Sequence, residues 1–228
     1  MNKIILNTGL WSAITCLTAF IIWIIAFTGI AIQSPLFHWT NIEDYIYYVK
    51  SNNQFFQYLA KSFMIIFSVG YMILTIVFYE FIVAERKILV KIAIVFSIMF
   101  ALVSSIHYFV QISSVRFAIA ENEYSGLENF LQSNPISFLS SVNMLGWTFF
   151  LGLSTLFLYI GLASNSGTKG IRLGLLINAV SCILGGIGYL FQIDIITFIF
   201  MNLGVGLAFF IMTISSIRFI NTIKRENK

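Results

Sequence analysis

Six long apolar stretches, joined by short polar connections, fill almost all of this 228-residue chain. They run over 10–32, 62–84, 92–113, 137–163, 171–191 and 195–219. Each reaches the ~20 residues that a helix rising ~1.5 Å per residue needs to cross a hydrocarbon layer ~30 Å thick. The longest segments outside them, about 33–61 and 114–136, leave little room for a separate soluble unit. The pattern predicts an all-α integral membrane protein of six transmembrane helices, one domain over 1–228, with the lipid bilayer as its solvent.

Composition supports that reading. Hydrophobic residues make up 59% of the chain and charged residues 10%, against ~25% charged in soluble domains. A water-facing exterior would lack polar cover. The net charge of +4 does not mark a nucleic-acid binder, because the basic residues sort by membrane side. With the N-terminus inside, Lys3, Arg86, Lys87, Lys91, Lys169, Arg172, Arg218, Lys224, Arg225 and Lys228 fall inside. Lys50, Lys61 and Arg116 fall outside. This bias predicts a multi-pass plasma-membrane protein with both termini cytoplasmic. Abundant Ile, Phe, Asn and Lys hint at an AT-rich bacterial genome. The first run is too long for a signal-peptide core and is expected to stay as a helix. Cys16 and Cys182 sit at different depths and read as buried free thiols.

An internal repeat is also expected. Lys91 falls on Arg172, and 106–113 falls on 187–194, at a shift of 81 positions. Ser137-Phe138, Gly146 and Phe149-Phe150 fall on Thr197-Phe198, Gly206 and Phe209-Phe210 at a shift of 60. Three parallel copies of a helical hairpin would account for these matches. Glycines in the fifth and sixth runs predict that those helices pack most tightly. Asn134-Pro135 marks the start of the fourth helix, with proline in its first turn. In the first outer connection, Ile42, Tyr45, Ile46 and Val49 recur at helical spacing, which predicts an amphipathic segment along the outer interface. The stretch Glu121–Gly126 reads as an exposed acidic loop.

Polar side chains within a span are costly and direct attention to function. His107, Asn143 and Asn202 each lie about six residues, ~9 Å, below the outer boundary. Gln111 shares a helix face with His107, and Trp147 lies one turn below Asn143. Arg116 stands at the rim, where a guanidinium suits a carboxylate or phosphate. Together His107, Gln111, Arg116, Asn143, Trp147 and Asn202 form the candidate ligand-binding layer. Glu80, near the inner end of the second helix, is a separate candidate proton or cation site, with Arg86 or Lys87 as neutralising partner.

No HExxH, GxSxG, GxxxxGK[ST] or EF-hand pattern occurs, and no metal or cofactor is expected. The leading expectation is non-catalytic binding or passage of a small amphipathic ligand near the outer leaflet, or service as an accessory subunit beside a membrane-protein partner. The alternatives are an intramembrane enzyme on lipid-like substrates, using His107 as acid–base group and Arg116 as head-group anchor, and a structural or regulatory membrane partner.

Overall fold

The computed structural model describes residues 2–34, 37–164 and 166–226. Among them there is no strand, and six helical stretches are long and apolar enough to cross a membrane. We number the helices α1 Lys3–Gln33, α2 Ile42–Ser51, α3 Phe55–Phe78, α4 Lys87–Ile112, α5 Ser114–Glu121, α6 Phe138–Gly161, α7 Lys169–Leu190 and α8 Asp194–Glu226. The chain therefore has the architecture of a multi-pass membrane protein.

The six long helices pack in chain order into a closed ring: α1 on α3, α3 on α4, α4 on α6, α6 on α7, α7 on α8, and α8 back on α1. Short connections favour antiparallel neighbours, which is why sequence order becomes spatial order. Lys224 Nζ donates to Asn7 Oδ1 at 2.7 Å, so both ends of the chain lie at one face. Arg86 donates to the Ile160 carbonyl at 2.8 Å, tying two turns of that face together.

The opposite face carries a cap. Asn41 starts α2 by accepting from the Asp44 amide at 2.8 Å, while the Asp44 carboxylate accepts from Thr40 at 2.7 Å and from the Asn41 amide at 3.0 Å. This reciprocal cap lets a ten-residue helix form where the expected amphipathic segment lies. Tyr45 and its neighbours then pack on Val115, Ile119, Leu127 and Leu131, forming a second small core. Burial pushes the Tyr45 phenol up to about 12, since desolvation disfavours the phenolate. Lys50 Nζ donates to Asn122 Oδ1 at 2.7 Å and to Tyr124 at 2.9 Å, joining the two long connections.

Two boundaries differ from expectation. α3 begins at Phe55, not near residue 62, so Lys61 sits two turns inside a span and not in a loop. Pro135 lies outside α6, whose cap is Ser137, accepting from the Ser140 amide at 3.0 Å. α6 and α8 are also not uniformly α-helical. Each contains one π turn, at Leu145–Phe150 and Ile199–Gly204.

α7 and α8 approach closely where glycine permits it. A Cβ on Gly174 would fall 2.7 Å from the Ala208 carbonyl oxygen and 2.8 Å from the Met212 nitrogen. Small residues allow such backbone contact where lipid provides no hydrophobic drive between helices.

Candidate functional site

The ring is plugged at mid-height by aromatic side chains. Phe67 and Tyr71 from α3, Phe100 from α4, Trp147 from α6 and Phe209 from α8 meet there. Phe67–Phe209 centroids are 4.6 Å apart, Tyr71–Phe209 5.5 Å and Phe100–Trp147 4.9 Å. Tyr71 donates to Ser154 Oγ at 2.9 Å, and Ser154 donates to the Ala93 carbonyl at 2.9 Å, so the one hydroxyl in the plug is satisfied.

Above this layer, in the capped half, lies a cavity of about 360 Å³. That volume falls within the ~300–1,000 Å³ of small-ligand pockets. Helical periodicity explains its wall. Gln57, Lys61, Met64 and Phe67 recur at three- and four-residue spacing along one face of α3, and Phe20, Trp23, Phe27 and Ile30 do the same on α1. Trp23 stacks between Phe20 and Phe27, at 5.7 and 5.4 Å. α6 contributes Asn143, Met144 and Trp147; α8 contributes Thr197, Met201, Asn202, Val205, Gly206 and Phe209. Tyr108 of α4 and Gln132 of the cap complete it.

Both π turns face this cavity. Trp147 lies in one and Asn202 in the other, while Asn143 stands just before the first. A π turn inserts a residue and rotates the helix beyond it, a device often found at functional sites. Here the two turns carry Trp147 and Asn202 on the cavity wall.

The wall is polar at the capped end and apolar toward the plug. Lys61 and Asn143 are half-buried, and Asn143 Oδ1 is shielded from solvent and accepts no hydrogen bond from the protein. Asn202 donates to the Phe198 carbonyl of its own helix at 3.1 Å. The Tyr108 hydroxyl lies near the side chains of Asn143 and Trp147.

Of the six residues expected to form a ligand layer, Asn143, Trp147 and Asn202 share the cavity wall; His107, Gln111 and Arg116 are not part of it. His107 is fully buried, with Nδ1 3.1 Å from the Leu139 carbonyl, and its Nε2 has no hydrogen-bond partner. Gln111 donates to the Phe130 carbonyl and accepts from the Gln132 amide at 3.4 Å. His107 thus ties α4 to the first turn of α6, and Gln111 ties it to the connection before α6. Arg116 is exposed on α5, its guanidinium 5.5 Å from the Tyr58 ring centroid. Glu80 is exposed in the turn Tyr79–Phe81. Its proposed neutralisers point elsewhere: Arg86 to Ile160, and Lys87 over the Tyr79 ring at 4.7 Å. Among the described residues no three His, Cys, Asp or Glu side chains converge as metal ligands.

Sequence reasoning missed Lys61, Gln57, Tyr108 and Gln132. The spacing of Gln57, Lys61 and Met64 was the available signal for the first two, since it continues the face of the following apolar run. Gln132 lies in an irregular segment with no periodic signal.

The floor, wall and polar end are thus defined by this chain's own residues. No protein-family model, curated protein or solved structure matches the chain. Function must be read from the site.

Proposed function

We propose that this protein binds a small amphipathic ligand drawn from the outer leaflet of a bacterial plasma membrane, with both termini in the cytoplasm. The observation that carries the reading is the cavity above the aromatic plug, apolar below and amide- and lysine-lined above. Such a gradient matches a molecule with a polar head and a hydrocarbon tail.

The helix packing supplies a route. α1 meets α8 mainly along Val205–Glu226. Toward the cap α1 stays with α3, where a Cβ on Gly29 would fall 2.7 Å from the Phe56 ring. The first turns of α8 stand away from it, with Phe198, Ile199 and Leu203 exposed. A ligand passing laterally between α1 and α8 never leaves the hydrocarbon layer.

The basic residues support the orientation. With Lys61 removed from the outer count, only Lys50 and Arg116 remain at the capped face. The hairpin repeat belongs to the same proposal, supported by the match of Gly146 and Phe149-Phe150 in α6 to Gly206 and Phe209-Phe210 in α8.

Photo-crosslinking tests the reading. A diazirine-bearing monoacyl lipid added to membranes containing the protein is expected to label peptides holding Trp23, Met201 and Asn202. Labelling confined to outward-facing positions such as Trp11 and Leu102 overturns it.

A further inference from the structure

Resting on that reading of the cavity, we infer that the occupant is a single-chain lipid whose anionic oxygen head, a carboxylate or phosphate, is held by Lys61. Lys61 lies six residues past the start of α3, ~9 Å along the helix. It is half-buried and faces a wall in which, among the described residues, no Asp or Glu occurs. The titratable side chains beside it are His107 and Tyr108, which bring no negative charge at neutral pH. A lysine at membrane depth is retained at a cost unless something compensates the charge. The protein does not supply the counterion, so the ligand does.

The surroundings fit such a head. Gln57 and Gln132 line the same cavity as Lys61 and carry amide donors for the remaining lone pairs of an oxyanion. Asn143 Oδ1, shielded and without a partner, takes a hydroxyl or a protonated oxygen of the same head. Below these groups the wall is aromatic and methionine-rich, which suits methylenes.

Volume sets the number of chains. At roughly 30 Å³ per water-sized group, 360 Å³ holds about a dozen heavy atoms. That accommodates a head and the first methylenes, with the remaining tail leaving between α1 and α8. Two tails would have to share that one gap, so a diacyl lipid is disfavoured.

The experiment uses the full chain in zwitterionic nanodiscs, read by thermal shift and native mass spectrometry. The probes are palmitate, monopalmitoyl glycerophosphate, neutral monopalmitoylglycerol and a palmityl trimethylammonium. The two anions are expected to stabilise the protein and to bind at least about tenfold more tightly than the neutral probe; the cation is expected not to bind. Comparing the anions separates carboxylate from phosphate. Lys61→Met, an apolar substitution that a span tolerates, is expected to abolish the preference for anions, and Lys61→Arg to keep it. Equal binding of neutral and anionic probes, or an anion preference that survives Lys61→Met, overturns the anionic head and leaves the amphiphile reading intact. Failure of every probe to bind the unmodified chain overturns both.

Discussion

The Phe67 ring and the Trp147 indole lie nearly parallel, 6.2 Å apart at 9°, and together they floor the cavity. Trp147 also meets Phe100 edge-on at 4.9 Å, so one indole joins three helices. Trp147→Ala is expected to deepen the cavity and to destabilise the bundle by roughly 2–3 kcal/mol, less than the ~3–5 kcal/mol for a fully buried aromatic because the indole is partly exposed to the cavity. Melting in detergent measures it. Trp147→Phe, which keeps a ring at the junction, is expected to cost much less.

The hydroxyl relay beneath the floor separates lost bonds from stranded groups. Tyr71→Phe removes a donor and leaves Ser154 bonded to the Ala93 carbonyl. Ser154→Ala strands the buried Tyr71 hydroxyl and so is expected to cost more. A double-mutant cycle is expected to give a coupling of ~0.6–2 kcal/mol, the range for hydrogen bonds between membrane helices. Equal single-mutant costs would count against the relay.

Much of this architecture is legible in the sequence, and the parts that are not have physical causes. Span number is legible because hydrophobic length is set by bilayer thickness. Depth is legible too: Asn143 and Asn202 interrupt apolar runs and do face the cavity. Azimuth is not. His107 matches them in depth, but its ring turns to the Leu139 carbonyl, and nothing in its own sequence context specifies that direction. The π turns compound the difficulty, because each shifts the periodicity on which face assignment rests. Lys61 is hidden for a different reason. A charge ordinarily marks the end of a span, so counting it as loop is the default, and only the face shared by Gln57, Lys61 and Met64 argues otherwise.

His107 and Gln111 give a prediction that distinguishes support from ligand contact. Both side chains hold the segment 130–139 rather than line the cavity. His107→Leu is expected to lower stability by ~0.5–1.5 kcal/mol, the net worth of the bond to the Leu139 carbonyl that it removes. Affinity for a bound amphiphile, measured on the folded fraction, should change by less than about threefold. Asn143→Leu should show the opposite pattern, with binding lost and stability largely kept.

The contact between α7 and α8 is tested at Gly174. An added Cβ meets the Ala208 carbonyl oxygen and the Met212 nitrogen, both backbone atoms that cannot turn aside. Gly174→Ala is therefore expected to force the helices apart and to cost ~1–3 kcal/mol, as overpacking does. Gly126→Ala is the control. Its φ of +72° disfavours a side chain, yet nothing lies within 4 Å of the added carbon. It should cost only about 1 kcal/mol, through local backbone strain.

Sidedness can be measured without first removing the native thiols. Cys16 and Cys182 are fully buried, so a membrane-impermeant maleimide should leave the unmodified protein unlabelled in intact cells. Glu123→Cys stands at the capped face, near Asn122 and Tyr124, where Lys50 binds. Lys169→Cys stands at the opposite end of the bundle, where α7 begins. Under the proposed orientation, in which only Lys50 and Arg116 of the described basic residues stand at the capped face, that face is outside. Label is therefore expected on Glu123→Cys in whole cells, and on Lys169→Cys only after the membrane is opened. Equal labelling of both in whole cells would remove the topology, and with it the assignment of the cavity to the outer leaflet. Reversed sidedness would keep the cavity and move its ligand to the inner leaflet.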